Sequence, residues 1–251
     1  MNHAFCLLST NLKKEVQEAL NIYEDLEVKY PEYLLVKMRL AQAYGKNMAI
    51  DLCLKKCEEA YKMYNDVEKQ GFVDREELPE ADFNHIREHL PKIYGYYLWM
   101  KSENYVVNDA ISGTRRVMVL RKAYLLTQRS LLNAPENISL YNNLLYYALE
   151  IAKIVKRYPK IKVKKDILQS IERYLEELEK RINIDETEKI NILDTFAKVY
   201  HFLGKRDKLT KVLDRLIPLA ERSLSKLGCD NEIIEATIKE ASAMKAEISA
   251  N

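Results

Sequence analysis

Small and aromatic residues recur from Ala19 to Tyr64 at a spacing that constrains how the chain can fold. Ala19 and Cys53 stand 34 residues apart, and the segment between them contains Pro31 and then Ala41. Small side chains let two helix backbones approach closely, and proline lacks the N–H that would continue a helix. The spacing therefore predicts antiparallel helix pairs that repeat along the chain. One pair cannot bury its apolar face alone, so several pairs must stack into a continuous core.

The order of these residues resembles the tetratricopeptide repeat, a helix pair of about 34 residues with the pattern W-x2-L-G-x2-Y…A-x3-F…P. The positions that carry the resemblance are Ala19, Tyr23 and Pro31 of one unit and Leu40, Ala41, Tyr44, Cys53 and Cys57 of the next. A further match is made by Leu193, Phe196, Ala197, Tyr200, Gly204, Leu209 and Leu213. The resemblance implies an all-α fold, an α-α superhelix or solenoid of antiparallel helix pairs.

The composition also favours an all-α fold with a substantial core. Hydrophobic residues make up 47% of the 251 residues, and glycine and proline occur six times each. Apolar residues recur at helical spacing, and no sustained run has the alternation typical of strands. We expect one continuous solenoid, with N-terminal helix pairs in 1–64, an irregular insertion and an aromatic-rich helix in 65–113, and further pairs with a capping helix in 114–251. The poor match of residues 2–10 to a first repeat helix predicts that the chain is part of a longer protein.

Local signals predict where helices lie and where they are interrupted. Amphipathic periodicity predicts helices over 13–29, 33–45, 49–64, 82–101, 114–133 and 163–181. Gly71 and Pro79 predict that residues 65–81 form an irregular loop or insertion. Pro91 and Gly95 predict a bend in the helix that contains them.

Polar residues and glycines indicate where the later helices begin and end. Asn137 is a good N-cap, because an asparagine side chain can accept the free N–H groups of a first helical turn. Asp185 and Glu188 have the spacing of a capping box, which predicts a helix start there. Gly204 predicts a turn between two helices, and Gly228 predicts a helix C-cap.

The resemblance also implies where a ligand would bind. Tetratricopeptide arrays bind extended peptides in a concave groove lined by the first helix of each pair. The matching positions in this chain are Arg39, Gln42, Asn142, Tyr146, Lys198 and His201. Some tetratricopeptide proteins bind a C-terminal carboxylate with a Lys and Asn pair at such positions. This chain has Met38 and Gln42 there instead, which argues against that kind of ligand. We therefore expect a protein-interaction or scaffolding module whose partner is a protein or a peptide.

Two basic stretches support an alternative function, that of a nucleic-acid-associated helical domain. Residues 115–129 contain Arg115, Arg116, Arg121, Lys122 and Arg129, and residues 153–165 contain seven Lys or Arg. Clustered cations can neutralise phosphates. The net charge of +2 argues neither for nor against nucleic acid, but no base-stacking or groove-reading motif accompanies the basic stretches. We therefore favour a protein partner.

His85 and His89 suggest a third hypothesis, because with Glu88 they spell H-x-x-E-H. Histidines four apart on a helix lie on one face and can reach a single zinc ion. A hydrolase of this type also needs a third ligand and a large α/β domain, which the sequence does not indicate. Cys53 and Cys57 stand where the repeat needs small buried residues, so we expect packing residues rather than ligands. We predict no enzymatic activity, no metal and no cofactor.

Cysteine usage and hydropathy predict a cytoplasmic protein with no membrane partner. Four cysteines in a chain of this length favour reduced thiols. The first residues lack the basic region and the apolar run of a signal peptide. No stretch approaches the roughly 20 apolar residues of a membrane span.

Overall fold

A computed structural model of the chain describes residues 2–10, 12–72, 78–185, 187, 189–227 and 232–250. Within these residues the chain forms eleven α-helices and no β-strand. The helices are α1 (Asn2–Ser9), α2 (Lys13–Lys29), α3 (Leu34–Lys46), α4 (Ile50–Gln70), α5 (Glu80–Glu103), α6 (Ala110–Asn133), α7 (Ile138–Arg157), α8 (Lys165–Arg181), α9 (Ile190–Leu203), α10 (Arg206–Leu227) and α11 (Glu232–Ala250). In the described part of the chain, none of them is long and apolar enough to cross a membrane. The predicted all-α class is confirmed.

The contacts divide the chain into two compact units. Unit 1 comprises residues 1–143 and 153–162, and unit 2 comprises residues 144–152 and 163–251. Consecutive helices pack together from α1 to α6 in unit 1 and from α9 to α11 in unit 2, as in an α-solenoid. Odd-numbered helices also contact each other, α1 with α3, α3 with α5, and α9 with α11. Each unit therefore has a layer in which odd-numbered helices lie side by side.

The helix pairs α3–α4 and α9–α10 share one internal register. Tyr44 and Tyr200 occupy equivalent positions, and each donates a hydrogen bond from its hydroxyl to a glutamate of an earlier even-numbered helix. The acceptor is Glu24 in the first case and Glu179 in the second, both at 2.7 Å. The second helix of each pair buries residues at matching positions, namely Cys53, Cys57, Ala60 and Tyr64 in α4 and Leu209, Leu213, Leu216 and Ala220 in α10. This correspondence is compatible with a helical repeat.

The two pairs also share the turn between their helices. Met48 and Gly204, each four residues after the tyrosine, both adopt left-handed backbone, with φ of 61° and 67°. The next N–H, that of Ala49 or Lys205, donates to the carbonyl of that tyrosine at 2.9 Å in both cases. The turn predicted at Gly204 is confirmed.

Helix α4 is longer than the sequence predicted. It continues to Gln70, so the expected irregular segment 65–81 is helical at its start and connects to α5 only after Gln70. Arg129 of α6 stabilises this extension, since it bonds to Asn65 at 2.8 Å and pairs with Glu68. Local sequence carried no sign of this, because Arg129 lies more than 60 residues away. Residues 73–77 lie outside the described part of the chain.

Helix α5 is unbroken through the two residues that predicted a bend. Pro91 cannot donate to the carbonyl of Arg87, which would otherwise lack a helical donor. Asn133 of α6 replaces that donor, because its Nδ2 lies 3.2 Å from the carbonyl oxygen of Arg87. Gly95 faces α6, and a Cβ there would lie 2.7 Å from Oγ1 of Thr127 and 3.0 Å from the carbonyl oxygen of Ala123. Both residues therefore serve the packing of α5 on α6.

Side-chain caps decide where α6 and α7 begin. Helix α6 starts before Gly113 rather than after it, because Oδ1 of Asp109 accepts the N–H of Ser112 at 2.7 Å and forms a capping box. The cap predicted at Asn137 is confirmed, since its side chain accepts the N–H of Ser139 at 3.1 Å. A polar residue in the N-cap position was thus a better guide than a glycine.

The capping box predicted at Asp185 is wrong. Lys189 is the N-cap of α9, and no side chain of the described residues caps its first turn. The N–H of Asp185 instead bonds to Oδ1 of Asn183 at 3.0 Å, which places Asp185 in a turn before the helix. Glu188 and the C-cap predicted at Gly228 lie outside the described residues.

Candidate partner-binding faces

The six residues predicted to line a groove all lie on odd-numbered helices, Arg39 and Gln42 on α3, Asn142 and Tyr146 on α7, and Lys198 and His201 on α9. The structure brings Arg39 together with Gln42 in unit 1, and Lys198 together with Tyr146 in unit 2. His201 lies exposed on the same helix as Lys198. Asn142 is only 5% exposed, which leaves little of its side chain for a ligand.

In unit 1 the odd-numbered helices converge on Arg39. Its guanidinium donates to Oε1 of Gln42 at 2.9 Å and bonds to Nε2 of His85 at 2.8 Å. It also lies over the ring of Phe5, 4.3 Å from the ring centre. These contacts join α1, α3 and α5, and we call Phe5, Arg39, Gln42 and His85 the Arg39 cluster.

The Arg39 cluster contains an arginine that no carboxylate of the described residues neutralises. Gln42 and His85 are uncharged acceptors, and Asp82 acts on Arg39 only through space. Because a guanidinium can only donate, Nε2 of His85 must accept, and its ring is neutral. Burial lowers the pKa of Arg39. Burial, followed by the neighbouring charges of His89 and Arg39, also lowers the pKa of His85.

In unit 2 the corresponding layer converges on Lys198. Its Nζ lies 2.9 Å from Oδ2 of Asp194 on the same helix and 3.1 Å from Oε2 of Glu240 on α11. It also lies 5.6 Å from the ring centre of Tyr146 on α7. Burial opposes the charge, but the two carboxylates outweigh it and raise the pKa of Lys198. We call Tyr146, Asp194, Lys198 and Glu240 the Lys198 cluster.

Sequence analysis did not find the partners that complete these clusters. Phe5 stands 34 residues before Arg39, so the repeat period itself could have found it. Glu240 has no comparable signal, and neither has Glu247, whose Oε2 lies 3.0 Å from Nε2 of His201. Only the packing of α11 beside α9 brings these carboxylates next to Lys198 and His201.

The described residues supply no third ligand for the zinc site suggested by His85 and His89. His85 and His89 do lie on one side of α5, with ring centres 4.3 Å apart. Nε2 of His85 is engaged by Arg39, and the described residues contain no group of three or more metal-ligating side chains. Cys53 and Cys57 are buried free thiols, as the repeat pattern predicted, and the Cys53 thiol together with burial raises the pKa of Cys57.

Most of the basic stretch 115–129 is neutralised inside unit 1. Arg116 pairs with Glu103, Lys122 with Glu58 and Arg129 with Glu68. Arg115 and Arg121 are exposed and form no ion pair with the described residues. In the second stretch, 153–165, the guanidinium of Arg157 lies 5.3 Å from the ring centre of Tyr158. The first stretch therefore has a much smaller free charge than its composition indicates.

Comparison with known proteins matched no family model and no curated protein to this chain. The interpretation of the two clusters therefore depends on their geometry and charge.

Proposed function

We propose that this chain is a tetratricopeptide-like protein-interaction module of the cytoplasm that binds an extended segment of a partner protein over its odd-numbered helices. The observation that carries the proposal is the Arg39 cluster. It presents a half-buried guanidinium on a face built by α1, α3 and α5, with no carboxylate among the described residues to neutralise it. A carboxylate of the partner could form charge-assisted hydrogen bonds there, which are about twice as strong as neutral ones.

The shared register of α3–α4 and α9–α10 supports the comparison with tetratricopeptide repeats. Equivalent tyrosines, equivalent left-handed turns and equivalent buried positions recur in two parts of the chain. The resemblance places ligands on the first helix of each pair, and both clusters lie on such helices.

The two clusters are not equally suited to an acidic ligand. A ligand carboxylate at Lys198 would compete with Asp194 and Glu240, which already lie within 3.1 Å of its Nζ. A ligand carboxylate at Arg39 would displace only uncharged acceptors. We therefore assign the acidic part of the ligand to unit 1.

The test is a pull-down from native lysate with mass spectrometry, followed by titration of the purified chain with the captured protein. We expect Arg39→Met to weaken binding about tenfold and Arg39→Glu to abolish it. Lys62→Glu is the matched control, since Lys62 is exposed on α4 away from the cluster and should leave affinity unchanged. Circular dichroism of each variant separates lost binding from lost folding. A partner that binds Arg39→Glu as well as the wild type would refute the proposal.

Nucleic acid is the competing outcome of the same experiment. If the captured material is RNA or DNA, is retained by Arg39→Glu and is lost above roughly 200 mM salt, counterion release at phosphates explains the binding. That result would indicate that the chain binds nucleic acid through the basic residues of 115–129 and 153–165.

A further inference from the structure

Helix α6 carries a row of exposed apolar side chains along its whole length. Ile111, Met118, Leu125 and Leu132 follow one another at intervals of seven residues, and they are 67%, 67%, 49% and 80% exposed. A single exposed apolar residue is ordinary, but four of them at a regular interval on one helix indicate an interaction surface. At a rise of 1.5 Å per residue, this row is roughly 30 Å long. We call these four residues the α6 row.

The α6 row is separate from the core of unit 1. Helix α6 already packs against α5 through another side, where Val117, Leu120, Tyr124 and other residues are buried. The helix is even-numbered, and the Arg39 cluster lies on α1, α3 and α5, so the row is a second surface that the proposed function does not use.

The charged side chains of α6 itself are all basic, although Glu58 and Glu68 of α4 pair with Lys122 and Arg129. Helix α6 contains no acidic residue. Arg115 and Arg121 are exposed next to the row and form no hydrogen bond or ion pair with the described residues. Lys122 also reaches the surface, although Glu58 lies 3.5 Å from its Nζ. An apolar partner with acidic flanks would match this surface in both shape and charge.

The seven-residue interval indicates that the partner is itself a helix. An α-helix has 3.6 residues per turn, so a row spaced by seven winds slowly around it, and a supercoiled partner helix follows such a row. The row is narrow, because the intermediate positions Thr114, Arg121 and Gln128 are polar. A membrane-surface helix needs a wide apolar face, which this row does not provide. A second copy of α6 would bring Arg115 and Arg121 against like charges.

We propose that the α6 row binds an acidic amphipathic helix of a partner protein. The row supplies one line of apolar contacts, and Arg115 and Arg121 pair with carboxylates that flank the apolar stripe of the bound helix. The site is independent of the Arg39 cluster, so the two surfaces could hold different segments or different partners.

The test uses the purified full chain and a fluorescent synthetic peptide of about four heptads, with Leu at a and d and Glu at e and g. Repulsion among the glutamates keeps the free peptide from pairing with itself. We expect it to bind the chain, and we expect the same peptide with Lys at e and g not to bind. Met118→Ser/Leu125→Ser should weaken binding by about tenfold or more. Arg115→Glu/Arg121→Glu should reverse the preference in favour of the Lys peptide.

Val28→Ser/Ile233→Ser is the control, since these apolar side chains are even more exposed, lie on α2 and α11, and should not affect binding. Failure of the acidic peptide to bind, or equal binding by Met118→Ser/Leu125→Ser, would overturn the proposal. Two further results would also overturn it. One is row-dependent binding of phosphatidylserine vesicles without peptide binding, and the other is a dimer in sedimentation that Met118→Ser/Leu125→Ser dissolves. Arg39→Glu should bind the peptide normally, so failure here is distinguishable from failure of the Arg39 site.

Discussion

The Arg39 cluster of unit 1 and the Lys198 cluster of unit 2 are built on the same helical framework but differ in how their charge is balanced. Each places a cation of one odd-numbered helix against an aromatic ring of the preceding odd-numbered helix, Phe5 in one case and Tyr146 in the other. The next odd-numbered helix then contributes neutral His85 to Arg39 but anionic Glu240 to Lys198. A repeated framework can thus carry one cation that carboxylates already pair and another whose hydrogen-bond acceptors are uncharged.

The largest expected effect concerns the contact between odd-numbered helices. Gly45 and His201 both directly follow the equivalent tyrosine, but a Cβ on Gly45 would clash with the ring of Tyr97, which is buried and has little room to shift. Gly45→Ala should therefore destabilise the protein by about 2–3 kcal/mol through overpacking, although alanine is normally the better helix former. His201→Ala should change stability by less than about 0.5 kcal/mol, because its pair with Glu247 is exposed. Urea unfolding measures both, and a stabilised Gly45→Ala would show that α5 is not held against α3.

Next in size is the cost of removing each cation. Lys198→Met removes the cation that Asp194 and Glu240 share, and we expect a loss of about 1–2 kcal/mol. Arg39→Met leaves only uncharged hydrogen-bond partners, Gln42 and His85, and should cost less than about 1 kcal/mol. The comparison of the two unfolding free energies is the measurement. Equal losses would mean that Arg39 has a carboxylate partner after all.

Substitutions at the shared turn should change the free energy of unfolding by a smaller amount, and in opposite directions in the two units. Met48 holds the left-handed conformation that Gly204 holds in the other pair, and a side chain is unfavourable there. Met48→Gly should stabilise the protein by about 1 kcal/mol, and Gly204→Met should destabilise it by a similar amount. Thermal unfolding checks both variants. A destabilised Met48→Gly would indicate that the Met48 side chain has a compensating contact.

The smallest expected effect is the dependence of stability on pH. Burial lowers the pKa of both His85 and His89, so between these lowered values and the unfolded pKa of about 6.5 the unfolded chain binds more protons than the folded one. Their contribution is fully present above about pH 6.5 and is lost as the pH falls below it. Melting temperatures measured across this range should therefore fall less steeply in His85→Gln/His89→Gln than in the wild type. An unchanged slope in the double variant would contradict the prediction.

Several elements could be predicted because their signals are local. The apolar period of 13–29 gave the bounds of α2, and the side chain of Asn137 caps α7 as expected. Tyr44 and Tyr200 marked the two pairs whose registers agree in the structure. The loop signal at residues 65–70 failed, because a distant residue, Arg129, stabilises the end of α4. Pro91 lies inside one continuous helix, where Asn133 satisfies the carbonyl that the proline leaves without a donor.

The candidate site residues were likewise predictable only in part. The repeat pattern placed Arg39 and Lys198 on the first helix of a pair, and the structure has them on α3 and α9. It could not indicate which of the two cations is neutralised, because Glu240 is brought to Lys198 only by the packing of α11 on α9. The basic stretch 115–129 shows the same limit, since Glu58 and Glu68 pair with Lys122 and Arg129 from a different helix.

The sequence by itself determined the all-α class, the helix pairs and the layer on which the cations lie, because helical periodicity, caps and small residues act over a few turns of one helix. The tertiary structure alone decided which charges are paired and which apolar side chains remain outside the core. Ion pairs form over a few ångströms between residues far apart in the chain. Burial likewise depends on which side of a helix its neighbours cover, as the exposed row on α6 shows.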